Sequence, residues 1–100
     1  MPMARDAVQL RFLTNHAYVV FAIAAWPNLT VRQIAERVGI TERATYAVLR
    51  DLERAGYVSR RRSGRRLTIV PHLDRPLPHP MLKGRTLHDL TGLLPGRTGT

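Results

Sequence analysis

The sequence predicts an α+β domain that is mainly helical, with a three-helix core, a β-hairpin and an additional C-terminal helix. Three observations lead to this prediction. Helix-forming segments with capping residues follow one another in the first half of the chain, two arginine-rich runs flank a glycine turn, and a proline-rich stretch precedes a leucine-rich end. With 100 residues, 44% of them hydrophobic, the chain can form one domain with a core.

The first helix is expected over residues 16–26, after an N-terminal extension of residues 1–13. Thr14 or Asn15 can cap this helix, and Pro27 ends it. Its sequence is apolar on all sides, which predicts a central, buried helix with Trp26 in the core. The apolar run AYVVFAIAAW is far too short to span a bilayer, so no membrane segment is expected.

The second and third helices are predicted from their capping residues. Thr30 and Gln33 form a capping box at the start of helix 2, which has its apolar residues at helical spacing. Gly39 interrupts this pattern, and Thr41 can cap a third helix that runs to about Ala55. The apolar face of helix 3 is predicted to contain Thr45, Val48, Leu49 and Leu52.

The second half of the chain is predicted to begin with a hairpin. Residues 57–61 and 65–70 form two short strands around the turn at Gly64, and residues 28–30 could add a third. The prolines of residues 71–85 predict an extended surface linker rather than a helix. A last helix over 86–94 and a flexible tail over 95–100 complete the chain, so the main domain is expected over 14–70.

The charge indicates a polyanionic partner. Sixteen Lys and Arg residues against seven Asp and Glu residues give a formal net charge of +9, which favours nucleic acid. No cysteine is present, which excludes disulfides and thiolate metal sites and fits a cytoplasmic location. The four histidines lack the spacing of metal ligands, and no catalytic motif is visible. We therefore expect no enzyme, no metal and no cofactor.

The outer face of helix 3 and the hairpin carry the candidate binding residues. The order of three helices and a basic hairpin allows helix 3 to enter the major groove of double-stranded DNA while the hairpin reaches the flanking backbone or minor groove. Candidate contacts on helix 3 are Thr41, Glu42, Arg43, Tyr46, Ala47 and Arg50, those on the hairpin are Arg60, Arg61, Arg62, Ser63, Gly64, Arg65 and Arg66, and possible phosphate contacts are Thr30 and Arg32.

Several of these residues have a second interpretation. Arg43 and Arg50 suit base reading, although an exposed helix face often carries such charges without a partner. Glu42 could accept from a cytosine amine, or could simply stabilise the helix N-terminus by its charge. Tyr46 could contact DNA or lie partly buried beside helix 2. Because strand residues alternate between faces, not all of the hairpin arginines can touch DNA.

The segment LTVRQIAERVGITERATYAVLRDLERAGYVSRRRSGRRLTIV resembles the winged helix-turn-helix of MarR-type and ArsR-type bacterial regulators. Ile34-Ala35, Gly39-Ile40-Thr41 and the Leu49 to Gly56 stretch match the family pattern. The resemblance covers about residues 14–70 and implies sequence-specific DNA binding as a homodimer, usually with repression that a ligand or another signal relieves.

The chain departs from these families because it lacks a long N-terminal dimer arm and a cysteine-based metal sensor. A homodimer would have to use the residues before His16, the C-terminal helix, or both, and the small-molecule effector is unknown. Candidate dimer contacts on that helix are Leu87, Leu90, Leu93 and Leu94.

Two other functions fit a basic domain of this kind. A winged-helix module could bind a protein or RNA, since one fold serves many functions, but it would more often expose an apolar patch on helix 3. A nucleoid-type protein would bind DNA with little sequence preference, and only its specificity ratio would distinguish it from a regulator.

Overall fold

The computed structural model describes residues 10–96; the N-terminal residues 1–9 and residues 97–100 of the predicted tail lie outside that range. The predicted fold class is confirmed: three helices precede an antiparallel hairpin, and a short helix follows. The elements are α1 (Asn15–Ala25), α2 (Val31–Val38), α3 (Glu42–Arg54), β1 (Val58–Ser63), β2 (Arg66–Pro71), a 3-10 turn (Pro80–Leu82) and α4 (Leu87–Thr91).

Local hydrogen bonds define the starts of α2 and α3. The Thr30 backbone N–H donates to Gln33 Oε1 over 2.9 Å, and the Gln33 N–H donates to Thr30 Oγ1 over 3.1 Å, so the predicted capping box is present. Thr41 Oγ1 accepts from the Ala44 N–H at the start of α3. Between these helices, Gly39 adopts a φ of 89°, which closes α2 in the left-handed conformation. The turn between the helices is therefore built by residues that favour it locally.

The core surrounds α1, which contacts α2, α3, β2 and α4. Buried aliphatic side chains from all of these elements meet there, and the apolar face of α3 is the predicted one. Trp26 differs from the prediction, because 44% of its surface is exposed. It follows the last residue of α1, and the Arg37 guanidinium lies 4.0 Å from its ring centroid. A cation–π contact at the surface thus replaces burial in the core.

The hairpin projects from this core. Ser63 lies opposite Arg66, which leaves a two-residue turn at Gly64 and Arg65, and Gly64 has a φ of 63°. A glycine at the first position of such a turn accepts the positive φ that a tight hairpin requires. Residues 28–30, considered above for a third strand, form no strand. The sheet in the described part of the chain is therefore two-stranded.

The segment after the hairpin folds back on the domain, in contrast to the extended linker predicted for residues 71–85. The Tyr57 hydroxyl donates to the Pro76 carbonyl over 2.6 Å, and the Leu87 N–H donates to the Arg75 carbonyl over 2.9 Å. Leu73 and Leu77 pack against the core, and a 3-10 turn interrupts the extended chain. Prolines prevented an α-helix as predicted, but these leucines hold the segment on the body of the protein.

None of the helices within residues 10–96 combines the length and hydrophobicity needed to cross a membrane.

Candidate nucleic-acid interface

The outer face of α3 is basic and exposed. Arg43 and Arg50, proposed above as base readers, are exposed, as is Arg54 on the following turn. Ala47 is half-buried between them, whereas Thr45 on the opposite side is fully buried and donates its hydroxyl to the Thr41 carbonyl. Since the buried face fixes the rotation of the helix, the arginines must point away from the core.

The two faces of the hairpin place its arginines differently. Arg60 lies opposite the buried Ile69 and Arg62 opposite Leu67, on the face directed at the body of the protein. Arg61 lies opposite Thr68 on the other face and is exposed. Arg60 is also the hairpin arginine bound to an acid: its Nη2 lies 2.8 Å from Glu53 Oε1. This contact removes Arg60 from the freely exposed set predicted from the sequence.

A groove of about 560 Å³ separates the hairpin from the N-terminal ends of α2 and α3. The structure brings together at this groove seven of the residues predicted to contact DNA: Thr30, Arg32, Glu42, Tyr46, Arg62, Arg65 and Arg66. Five lining residues were not predicted as site residues: Asn28, Leu29, Val31, Leu67 and Ile69. The apolar ones were classed as core or strand residues, and sequence alone offered no signal that they also line a cleft.

Other predicted residues do not line this groove. Thr41, Arg43, Ala47 and Arg50 lie elsewhere on the α3 side, and Arg60, Arg61, Ser63 and Gly64 lie elsewhere on the hairpin. Tyr46, for which two interpretations were open, is 45% exposed and lines the groove, so it is a surface residue beside the hairpin.

The electrostatics of this side are dominated by arginine. Glu42 is the acid that lines the groove, and it occupies the first turn of α3, where the helix dipole favours negative charge. Arg32 approaches Glu36 only to 3.9 Å, in an exposed pair of small energetic weight. The other arginines of α3 and the hairpin, Arg60 excepted, form no salt bridge with any residue in the range 10–96: Arg43, Arg50, Arg54, Arg61, Arg62, Arg65 and Arg66.

The ion pair between Glu53 and Arg60 is well formed. Arg60 donates from Nε to Glu53 Oε1 over 3.0 Å, and its Nη2 lies 2.8 Å from the same oxygen. The hydrogen bond from Arg60 holds the pKa of Glu53 below its ordinary value, against the opposing effect of partial burial. The carboxylate is therefore ionised at neutral pH, and the pair is charged on both sides.

The C-terminal leucines fall into two groups. Leu87 is only 3% exposed and belongs to the core of its own chain, which corrects its assignment as a dimer contact. Leu90 is half-buried and packs against the same core. Leu93 is 66% exposed, and Leu94 lines a shallow cavity with Trp26 and Phe21. Of these four leucines, Leu93 and Leu94 at the end of the segment are thus the ones presented to the outside.

The part of the chain that the structure describes contains no cluster of three His, Cys, Asp or Glu side chains that could hold a metal ion. His16 and His72 instead contact single partners. His16 Nε2 lies 2.9 Å from Asp51 Oδ2, and His72 Nε2 lies 2.6 Å from Ser59 Oγ. The first contact joins two elements of the fold, since His16 is on α1 and Asp51 is on α3.

Comparison with known proteins identifies the family. A family model described as MarR family matches residues 12–66, which is more than half of the chain. A MarR family protein of Mycobacterium tuberculosis, solved in complex with salicylic acid, superposes with a TM-score of 0.50 at 33% sequence identity. The match covers 60% of this chain and 47% of that one, so this chain spans about half the length of its solved relative. No curated protein matches significantly. With its winged helix-turn-helix fold, the chain belongs to the MarR family of transcriptional regulators.

Proposed function

We propose that this protein is a transcriptional regulator that binds double-stranded DNA sequence-specifically in the bacterial cytoplasm, as a homodimer and as a repressor. One observation carries the proposal: the arginines of the α3 outer face and of the hairpin tip lack acidic partners among residues 10–96. We call the hairpin β1–β2 the wing from here on.

The proposed arrangement puts α3 in the major groove. A helix with its side chains fits a groove about 12 Å wide, and an arginine fork can donate to both O6 and N7 of guanine. Arg43 and Arg50 are the base readers in this proposal, because both are exposed on the outer face. Thr41, Glu42, Tyr46 and Ala47 lie beside them along the same helix or at its cap.

The wing supplies contacts with the sugar–phosphate backbone. Arg62, Arg65 and Arg66 line one wall of the groove, and Thr30 and Arg32 line the wall opposite, at the start of α2. A phosphate entering between these walls would meet positive charge from both. Such contacts fix the position of a protein on DNA and release counterions, so they make affinity depend strongly on salt.

The homodimer is proposed to use the exposed apolar end of the C-terminal segment. Leu93, Leu94 and the half-exposed Trp26 are the residues available there. In a twofold dimer the two α3 helices would reach successive major grooves about 34 Å apart, on an inverted repeat. Occupation of such an operator blocks transcription, which is the proposed mode of repression.

The test is a binding selection from random duplex DNA at near-physiological salt, with protein of measured oligomeric state. Enrichment of an inverted repeat supports a dimeric, sequence-reading regulator. Binding without enrichment would replace the proposal with an architectural role, and no binding would replace it with a protein or RNA partner. Salicylic acid, present in the complex of the solved relative, is the first small molecule to add to the assay.

A further inference from the structure

Arg60 and Glu53 connect the wing to α3. Glu53 is in the last turn of α3 and Arg60 is in β1, so the pair spans the turn that joins the helix to the wing. Within the described residues, it is the side-chain ion pair between these two elements. Arg60 Nε donates to Glu53 Oε1 and its Nη2 lies 2.8 Å from the same oxygen. A charge-assisted hydrogen bond of this kind is stronger than a neutral one.

The position of Arg60 along the hairpin matters. Its cross-strand partner is Ile69, whose side chain is buried in the core. The next cross-strand pair toward the hairpin turn is Arg61 with Thr68. The cross-strand pairs between Arg60 and the hairpin turn contain no fully buried residue. Arg60 therefore lies where the wing leaves the body of the protein. A restraint at this point sets the direction of the outer part of the hairpin, residues 61–68.

Partial burial also distinguishes Arg60 from its neighbours. Its side chain is 28% exposed, while Arg61, Arg62, Arg65 and Arg66 are all exposed. A guanidinium that has given up part of its hydration and already donates to a carboxylate gains little by moving to a phosphate, since it would leave Glu53 without its partner. The contact in the structure is therefore the favoured use of this arginine.

We propose that Arg60 is a positioning residue that acts through Glu53 to hold the wing at a defined angle to α3, rather than an arginine that binds DNA. This inference rests on the proposed function, because the angle matters only if α3 and the wing engage one duplex together. A held wing presents Arg62, Arg65 and Arg66 to the backbone while α3 lies in the groove. A loose wing would pay the ordering entropy on binding and would tolerate more DNA sequences.

The test swaps the charges of Arg60 and Glu53 and measures both DNA binding and the stability of the wing. The variants are Arg60→Glu, Glu53→Arg, and the double variant with both changes, which restores an opposite-charge pair and keeps the natural net charge. Arg61→Glu alone and Glu53→Arg with Arg61→Glu are matched controls with the same net charges but without a restored pair. Each protein is assayed for affinity to the selected operator and to a scrambled duplex. Amide hydrogen exchange of residues 58–70 is measured without DNA.

We expect Arg60→Glu to lower the affinity for the operator about tenfold and to reduce the ratio of operator affinity to scrambled-duplex affinity. The same variant should speed amide hydrogen exchange in the wing. The double variant, Arg60→Glu with Glu53→Arg, should recover operator affinity to within about threefold of the natural protein and should restore slow amide hydrogen exchange in the wing. Arg61→Glu should weaken binding to both duplexes and leave exchange unchanged, and adding Glu53→Arg to it should not restore the operator-to-scrambled ratio.

The inference is overturned if the double variant binds the operator no better than Arg60→Glu does. It is also overturned if Arg60→Glu leaves the amide hydrogen exchange of the wing at its natural rate. Failure of the natural protein to bind DNA would overturn the proposed function alone. The exchange measurements need no DNA, so they would still decide whether the pair holds the wing.

Discussion

Around α1 and the C-terminal segment, arginines contact other parts of the chain. Arg37 lies over the Trp26 ring, Arg11 lies 4.8 Å from the Tyr18 ring centroid, and Arg75 donates to the Ala55 carbonyl over 3.4 Å. On α3 and the distal wing, arginines such as Arg50 and Arg65 make no side-chain hydrogen bond, ion pair or cation–π contact with any residue in the range 10–96. Arginine content is high on both sides, so the number of arginines does not by itself locate a binding surface. The difference in their intramolecular contacts does.

This contrast has an energetic meaning. An arginine engaged within the chain must break that contact before it can reach a phosphate, whereas an exposed one exchanges only water and counterions. The side around α1 and the C-terminal segment should therefore govern stability, and the side formed by α3 and the wing should govern binding. Changes on each side should separate the two properties.

The largest expected effect is on stability. Leu87→Ala removes a side chain buried in the core and should lower the free energy of unfolding by about 2–5 kcal/mol. Chemical denaturation monitored by circular dichroism measures this change. Met81→Ala is the control, because Met81 is 87% exposed and its truncation should cost less than about 0.5 kcal/mol. Equal losses in the two variants would contradict the placement of Leu87 in the core.

The next effect concerns sequence reading by α3. Arg43→Ala and Arg50→Ala should each weaken operator binding by about 1–3 kcal/mol and relax the preference at one base position, with little change in unfolding. Fluorescence anisotropy with the operator and its single-base variants provides the measurement. Arg85→Ala serves as a control of equal charge change, since Arg85 is near Asp89 at the C-terminal side. Uniform weakening on every duplex would rule out base reading by these arginines.

A smaller effect is expected at the wing tip. Replacing Arg62, Arg65 or Arg66 by alanine should make the plot of log affinity against log salt shallower by about 0.9 for each phosphate that the variant no longer neutralises. Binding titrations over a range of salt concentrations measure the slope. Lys83→Ala removes the same charge from a residue that does not line the groove, and it should leave the slope nearly unchanged. If it flattened the slope as much, net charge rather than the wing would explain the salt dependence.

The smallest effect is the acid dependence of stability. Because Arg60 lowers the pKa of Glu53 in the folded state, the ionised carboxylate stabilises the fold above the ordinary carboxyl pKa of about 4.3. This contribution is lost as the pH falls through the folded pKa. Glu53→Gln should therefore make the decline in stability on acidification less steep, as measured by thermal unfolding between neutral and acid pH. Arg60→Gln should also make this decline less steep. If the decline in stability at acid pH were unchanged in both variants, the pairing of Glu53 with Arg60 would be contradicted.

Local patterns were enough to predict the helices and their caps. Thr30 and Gln33 form their capping box with residues three positions apart, and Gly39 ends α2 through its own backbone conformation. The buried face of α3 follows from helical spacing alone. These features depend on neighbours in the sequence, so the sequence contains the information needed to predict them.

The remaining features depend on contacts between distant segments. Leu77 and Leu87 reach the core only because the chain returns to α1 after the wing, and proline content could not reveal that return. The Glu53–Arg60 pair depends on how the turn after α3 aims the first strand. Arg60 and its neighbours Arg61 and Arg62 look alike in the sequence, and only the strand register and the placement of Glu53 distinguish them.

The burial of Leu87 affects how the chain folds as it is synthesised. Proteins emerge from the ribosome N-terminus first, and α1, α2, α3 and the wing are complete by Pro71. The side of α1 that receives α4 stays exposed to water until Leu87 and Thr91 have left the exit tunnel. The nascent chain therefore carries an apolar surface, open to chaperones, for about twenty residues of further translation.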